Sequence, residues 1–265
     1  MEIVIAIVAL AFIFEFMDSS AGMGFGTSLT PLLFIMGFNP LQVVPVVLAS
    51  EAITGFVSGF FHHEFGNVKF SVQRPFNKAT RLVLLIAVSG CFAIVLSVFL
   101  AYFAINLPKD FIKLYVAVLV LLMGVYGIIR LKFRTSKKFR PKLLAGFACL
   151  AGFNKGIGGG GYGPVVTLGQ IFSGVHEKSA VAIVSVAEAF VSVFGVLTFI
   201  FISSMGKVVD FSLLPSIFTG AFVAAILSPY IVRVFPTRWW RKIIPVYAFS
   251  LGSYLSLKIA VPGVF

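Results

Sequence analysis

A lysine and a run of glycines interrupt an apolar stretch in the second half of the chain. The segment FNKGIGGGGYGPVVT (153–167) places Lys155 among six glycines. Glycine permits tight turns and lets the backbone approach a ligand closely. The unpaired N–H groups and the positive dipole end at the start of a helix favour anions. The segment therefore predicts a break between two helices that binds a small anion, with Lys155 supplying positive charge.

The same pattern occurs in the first half of the chain. Residues 22–59 align without a gap with residues 159–196, at a constant offset of 137. Nine identities include three glycines at alternate positions and a paired glutamate, namely Gly22/Gly159, Gly24/Gly161, Gly26/Gly163, Thr30/Thr167, Gly37/Gly174, Val44/Val181, Val47/Val184, Glu51/Glu188 and Ala52/Ala189. The chain is therefore predicted to consist of two related repeats, 1–134 and 135–265, joined by a basic connector at about 130–142.

Three carboxylates lie close to these glycine motifs. Glu51 and Glu188 occupy equivalent positions inside long apolar segments, where an ionised carboxylate costs several kcal/mol unless it is paired or solvated. They either titrate protons, hold the glycine tips in place, or stay neutral and hydrogen-bonded to broken-helix backbone. Asp18 is the equivalent of Lys155, and it either pairs with this lysine or caps the N–H groups of the first tip.

The candidate substrate-binding residues are the glycines of both tips and the polar residues beside them. Two simpler interpretations remain open: the glycines merely allow close helix packing, and the hydroxyl groups bond back to their own helices. The candidates are Ser19, Ser20, Gly22, Gly24, Gly26, Thr27, Asn154, Lys155, Gly156, Gly158, Gly159, Gly160, Gly161, Tyr162, Gly163, Thr167 and Gln170.

The composition indicates an all-α, multi-pass membrane protein. Of the 265 residues 59% are hydrophobic and 11% are charged, against about 25% charged residues in soluble domains. The net charge of +12 comes from short loops between apolar runs, the pattern of cytoplasmic loops, so no nucleic-acid partner is expected. Met1-Glu2 supplies no basic start, so no cleaved signal peptide is expected.

Each repeat is predicted to contain one broken segment and three full-length helices. The broken segments have arms at 3–16 and 27–37, and at 143–153 and 164–174; the helices are 40–61, 82–104, 111–129, 179–202, 211–233 and 243–261. Re-entrant broken segments would place 16 Lys and Arg on one face and four on the other, whereas crossing segments would give 13 and seven. The positive-inside rule favours the re-entrant, inverted-repeat topology, with eight crossings as the alternative.

Several other kinds of site are not expected. Gly156, Gly158 and Gly161 match a dinucleotide-binding pattern, but that pattern needs a soluble βαβ unit. Cys91 and Cys149 have no metal-ligand or disulfide spacing. His62, His63 and His176 lie near predicted helix ends, where we expect them to anchor the protein at the membrane interface. We predict no metal, no cofactor and no catalytic residue.

The two glycine motifs resemble those of the TauE/SafE sulfite-exporter family. The resemblance rests on the two-half organisation, on GIGGGGYGPVV followed by TLGQIFSGVHEKSAVA, and on AGMGFGTSLTPLLFIMGFNPLQVVPVVLASE in the first half. It covers nearly the whole chain. The first motif departs from the family's glycine triplet because Met and Phe alternate with its glycines, so residues 154–163 are weighted more heavily.

The resemblance implies a transporter of sulfite or organosulfonates in the cell membrane, and the cationic tips agree with that expectation. The leading hypothesis is a secondary transporter, with Glu51 and Glu188 as candidates for proton coupling. An anion channel, or a transporter of another small carboxylate or oxyanion, is the alternative. An intramembrane enzyme and a sensor are more distant alternatives. Transport direction, coupling ion and homo-oligomerisation stay open.

Overall fold

The chain folds into helices joined by short connections. The structure, a computed structural model, describes residues 3–130, 139–173, 175, 177–234, 246, 249–254 and 256–258. The helices of the first half are α1 (Ile5–Ala21), α2 (Thr30–Ile35, preceded by a π-helical turn at Phe25–Leu29), α3 (Pro40–Glu64), α4 (Lys78–Phe99, continued by a π-helical turn to Ala104) and α5 (Lys109–Arg130). Those of the second half are α6 (Pro141–Gly158), α7 (Tyr162–Phe172), α8 (Glu177–Ser204) and α9 (Leu214–Val234).

The composition of these helices is that of a multi-pass membrane protein. Four are long and apolar enough to span a bilayer, namely Pro40–Glu64, Lys78–Ala104, Ser179–Ser204 and Leu214–Val234. Large apolar side chains such as Val88 and Phe92 on α4 point outward and are about 70% exposed, as lipid-facing residues would be. The fold class is therefore confirmed, while the predicted helix at 243–261 and the basic connector lie largely outside the described residues.

Both broken segments change direction at equivalent glycines. Helix α1 ends where Gly22 adopts a φ of 70°, and α6 ends where Gly159 adopts a φ of 71°. Two residues further on, Gly24 and Gly161 also have positive φ values, 154° and 81°. Residues that carry a side chain rarely adopt these backbone conformations, so glycine is required at both breaks. The shared offset of 137 supports the two-repeat organisation, which remains a prediction.

The first arm of each broken segment is longer than predicted. Helix α1 extends to Ala21 rather than residue 16, and α6 extends to Gly158 rather than residue 153. Polar residues in the last turns do not end these helices, because neighbouring groups inside the fold give them partners. Asp18, Asn154 and Lys155 therefore lie in the last helical turns and not in the loops between the arms.

Helices α3 and α8 cross at the centre of the molecule and run in opposite directions. Leu48 lies against Gly195, and Gly59 lies against Val186, so moving forward along α3 means moving back along α8. These helices occupy equivalent places in the two predicted repeats. Their antiparallel course is what an inverted repeat requires.

The first arm of each broken segment packs along a helix of the other half. Just before α1, the N–H of Val4 donates to the hydroxyl of Ser216 at 2.9 Å, and the carbonyl of Val8 in α1 lies against Gly220 of α9. In α6, Gly156 lies against the carbonyl of Ile94 in α4. The two halves therefore interlock and do not form separate bodies.

The second broken segment forms a hairpin. The hydroxyl of Ser173, just after α7, donates to the carbonyl of Arg140, just before α6, at 3.2 Å. Further in, Phe147 of α6 lies against Gly169 of α7. The two ends of the segment are therefore neighbours, which is the geometry of the predicted re-entrant topology; its depth in a membrane remains a prediction.

We expect the substitution Gly26→Ala to prevent stable folding. A Cβ at Gly26 would lie 2.2 Å from the carbonyl oxygen of Gly159 and 3.0 Å from Cα of Gly160, and backbone atoms cannot yield as a flexible side chain can. Gly146→Ala in α6 is the matched control, because a Cβ there meets nothing within 4 Å. Alanine should be neutral there or stabilise the helix by about 0.5–1 kcal/mol. Thermal unfolding in detergent measures both, and equal stability of the two variants would contradict the packing of the tips.

Candidate functional site

A buried ion network joins three helices at the second break. Lys155, in the last turn of α6, is fully buried. Its Nζ donates to Oε1 of Glu188 on α8 at 2.6 Å and to Oε2 of Glu51 on α3. The two glutamates that sequence equivalence paired are thus brought together by one lysine. This arrangement was not predicted, because the alignment relates Lys155 to Asp18 and gives no reason to pair it with a glutamate.

This network compensates charges that would otherwise be costly inside the fold. Burying an isolated ion costs several kcal/mol, and a close, hydrogen-bonded partner of opposite sign offsets much of that cost. The ring of Tyr162 also lies beside Lys155, with 5.5 Å between Nζ and the ring centroid, a distance at which a cation is attracted by an aromatic face. Lys155 therefore has partners from α3, α7 and α8, and it connects them.

Asp18 caps the first break and makes no ion pair with Lys155. Its Oδ1 accepts a hydrogen bond from the backbone N–H of Phe25 at 3.3 Å, and its carbonyl accepts one from Gly22 N–H at 2.6 Å. Of the two roles that the sequence left open, the structure shows the capping role. Lys155 and Asp18 hold equivalent positions in the two segments but have different partners.

A small cavity lies next to the ion network, and half of the residues that line it are acidic. Its volume is about 10 Å³, roughly the space of one water molecule. The residues around it come from α1, α3 and α8 and include four carboxylates; they are Glu15, Asp18, Ser19, Glu51, Thr54, Gly55, Ser185 and Glu188. The charged groups at this place are therefore four carboxylates and one ammonium, that of Lys155.

Glu15 is a member of this cluster that the sequence analysis missed. It is 2% exposed, and its Oε1 accepts a hydrogen bond from the hydroxyl of Ser19 at 2.7 Å. The signal was present, since an ionisable residue inside an apolar segment indicates a functional site. Glu15 has no carboxylate equivalent in the second half, where Gly152 stands at the matching position, so the search for repeated residues passed over it.

The two glycine tips touch each other directly. Gly26 lies against the backbone of Gly159 and Gly160, and Gly163 lies against the carbonyl of Gly22. The N–H of Gly161 donates to Oγ1 of Thr27 at 3.2 Å, and the hydroxyl of Thr167 donates to the carbonyl of Gly22 at 3.1 Å. The two predicted tips are therefore in direct contact with each other, in a closed arrangement.

Carbonyl groups at the helix breaks find partners on neighbouring helices. The phenol of Tyr102 donates to the carbonyl of Ile157 at 2.5 Å. At the first break, the carbonyl of Ser19 lies 3.0 Å from Nε2 of His62. The last carbonyls of a helix have no partner within it, and an unpaired buried carbonyl is costly. Side chains from other helices supply the missing bonds here.

Other predicted site residues face away from the tips. Gln170 donates to the carbonyl of Ala180 at 3.2 Å, and Ser20 donates to Met17 within its own helix at 3.2 Å. Asn154 accepts a hydrogen bond from the phenol of Tyr115. Gly156 and Gly158 are contact points for α4 and α5, against Ser97 and Val116. For these residues, the geometry agrees with the simpler interpretations, in which glycines allow close helix packing and hydroxyl groups bond back to their own helices.

The predicted interfacial role is wrong for His62. Its side chain is fully buried and links the first break to α9: Nε2 lies 3.0 Å from the carbonyl of Ser19, and Nδ1 lies 3.0 Å from the amide of Asn67. That amide also donates to the carbonyl of Pro229 at 2.9 Å. Since the Ser19 carbonyl can only accept, Nε2 carries the proton. His63 lies on the more exposed side of α3, and His176 is outside the described residues.

We expect Lys155→Met to destabilise the protein by about 3–5 kcal/mol, because it leaves Glu51 and Glu188 buried without their cation. The triple variant Lys155→Met/Glu51→Gln/Glu188→Gln removes all three charges and should recover most of that loss. Thermal unfolding of the wild type, the single variant and the triple variant measures this. A triple variant no more stable than Lys155→Met would contradict a charge-compensating network.

Two comparisons place this chain among known proteins. The family model described as "Sulfite exporter TauE/SafE" matches residues 7–255. A relative in Bacillus subtilis (strain 168), described as "Probable membrane transporter protein YtnM", is 30% identical over 229 residues, which are 83% of this chain and 72% of the relative. No solved structure matches. The chain belongs to the TauE/SafE sulfite exporter family of membrane transporters.

Proposed function

We propose that the protein is a secondary transporter that moves a small sulfur-containing anion, sulfite or an organosulfonate, across the cell membrane. The observation that carries the proposal is the position of Lys155, a fully buried lysine where the two broken segments meet. Broken helices facing each other between two repeats are typical of the binding sites of secondary transporters. Family membership supports a transported anion that contains sulfur.

In this proposal the anion binds between the glycine tips, against their N–H groups and Lys155. The tips are closed on each other in the structure, and the ammonium is held by Glu51 and Glu188. The structure therefore corresponds to a closed arrangement of the tips. An anion reaches Lys155 when the tips separate and the ammonium exchanges a carboxylate partner for the anion. The two glutamates hold the lysine in place while the site is empty.

Alternating access would come from movement of the interlocked halves. Helices α1 and α6 each pack along a helix of the opposite half, at Ser216 and Ile94. Displacing either arm therefore also involves a helix of the opposite half, so the tips separate only when both halves rearrange. The basic loops would face the cytoplasm, following the positive-inside rule.

Two other functions are candidates: an anion channel, and a transporter of another small oxyanion. The closed tips favour a transporter, because a channel needs a continuous opening and backbone groups such as Gly26 and Gly160 are in direct contact. We propose no enzymatic activity, since the chemistry at the centre of the site is that of an ion network. Saturable uptake and counterflow of labelled sulfite in proteoliposomes separate the candidates, because a pore shows neither.

We expect sulfite to stabilise the purified protein against thermal unfolding. A ligand present at 100 times its Kd adds about 2.7 kcal/mol. Sulfoacetate and sulfate extend the series of sulfur oxyanions, and phosphate, acetate and a cation serve as comparisons. Stabilisation by acetate or phosphate equal to that by the sulfur anions would contradict the substrate class.

Two variants test whether Lys155 binds the anion. In Glu51→Gln/Glu188→Gln the lysine has lost its internal counter-ions, so sulfite should stabilise this variant more than the wild type. In the triple variant that also carries Lys155→Met, sulfite should have no effect. Lys109→Ala, at an exposed lysine, is the control and should respond as the wild type does. Equal sulfite responses in the double and triple variants would exclude Lys155 from the site.

A further inference from the structure

The four carboxylates around the acidic cavity do not have equivalent partners. Glu51 and Glu188 accept hydrogen bonds from the ammonium of Lys155, and Asp18 accepts one from a backbone N–H. Glu15 accepts its hydrogen bond from the neutral hydroxyl of Ser19. Ionised carboxylates are stabilised by cations and by backbone N–H groups, and Glu15 is the member of the cluster whose hydrogen bond, that from Ser19, comes from neither.

The groups that face Glu15 from neighbouring elements make this imbalance larger. Asp18 lies one turn further along α1, and Glu51 and Glu188 line the same cavity from α3 and α8. Lys155 on α6 is engaged by those two glutamates. His62 of α3 has its proton on the nitrogen that faces the Ser19 carbonyl. Helix α9 packs Gly220 against α1, and its one charged residue is Arg233, near its C-terminal end. With all carboxylates ionised, the buried cluster would carry a net charge of −3.

A further observation points to a ligand in the cavity. Glu51 is 4% exposed, and while its Oε2 is bonded to Lys155, its Oε1 has no hydrogen-bond partner. A buried polar atom without a partner is rare and indicates a missing donor. A hydrogen-bond donor to this oxygen would be a proton-bearing group, and the described residues hold no group of three His, Cys, Asp or Glu arranged to bind a metal ion.

We propose that the acidic cavity is a proton-binding site and that Glu15 is the residue that carries the proton. Glu15 holds a proton in the closed state, as a neutral carboxylic acid accepting from Ser19. When it gives up this proton, the carboxyl O–H bond breaks and the proton passes through the cavity to Oε1 of Glu51, which becomes the neutral acid. The cavity has room for about one water molecule to relay it.

This site would couple protons to the anion, a step that rests on the proposed transport function. When an anion takes the ammonium of Lys155, Glu51 and Glu188 lose part of their compensation inside a buried cluster. Transfer of the Glu15 proton to Glu51 and uptake of another proton by Glu15 restore the balance. Anion and proton then move in the same direction.

The proton on Glu15 is testable without any substrate. Infrared difference spectroscopy of the full-length protein in lipid detects the C=O stretching band of protonated carboxylic acids. We expect the wild type to show this band at neutral pH and Glu15→Gln to lack it, while Glu64→Gln, at an exposed glutamate, keeps it. In Ser19→Ala, which removes the donor to the ionised form, the band should persist to higher pH. A band unchanged in Glu15→Gln, or a Ser19→Ala midpoint that does not rise, would overturn the proposal.

A transport measurement separates failure of the coupling from failure of the proposed function. Counterflow of labelled sulfite by the wild type, with no pH gradient, tests transport alone. An imposed proton gradient should then increase net sulfite uptake several-fold in the wild type and in Glu64→Gln, but not in Glu15→Gln. Counterflow with no response to the gradient, or a response to Na⁺ instead, would overturn proton coupling and leave sulfite transport standing. Absence of counterflow would overturn the proposed function.

Discussion

The structure depends on placing one lysine inside an apolar protein at the point where two helices break. Lys155 has no exposed surface, and such a charge is tolerated only if ionised partners surround it. Glu51 and Glu188 fulfil this condition from two helices that cross in opposite directions. The network thereby fixes how α3, α6 and α8 lie relative to one another. In the proposed function, internal pairing and anion binding compete for this same ammonium.

A second constraint is that the breaks expose backbone groups where water is scarce. The fold meets it with bonds from neighbouring elements: Thr167 for Gly22, Tyr102 for Ile157, and His62 for Ser19. These donors come from helices of both halves, so the tips are held by the whole fold. Closed tips, interlocked arms and a central ion network form one cooperative unit. In the proposed function, separating the tips requires several of these bonds to change together.

Much of this architecture was predictable because glycine and charge are rare and meaningful inside apolar sequence. The offset of 137 located both breaks, and the structure places positive φ values at the equivalent glycines Gly22 and Gly159. Helix boundaries near the breaks were less accurate, because partners such as Tyr115 for Asn154 come from tertiary packing. The pairing of Lys155 with Glu51 depends on how three helices meet, which spacing along the chain does not encode. His62 was misjudged because its position near a helix end says nothing about the tip that folds back against it.

In the proposed function, one ammonium is shared between internal carboxylates and the transported anion. An experimental structure of the protein in lipid nanodiscs, determined with and without saturating sulfite, would show whether this sharing occurs. We predict that without sulfite Lys155 Nζ lies between Glu51 and Glu188 and the glycine tips touch. With sulfite, the tips separate and the anion lies beside Nζ, which has given up at least one carboxylate. Sulfite bound elsewhere while the Lys155 network stays intact would contradict the claim.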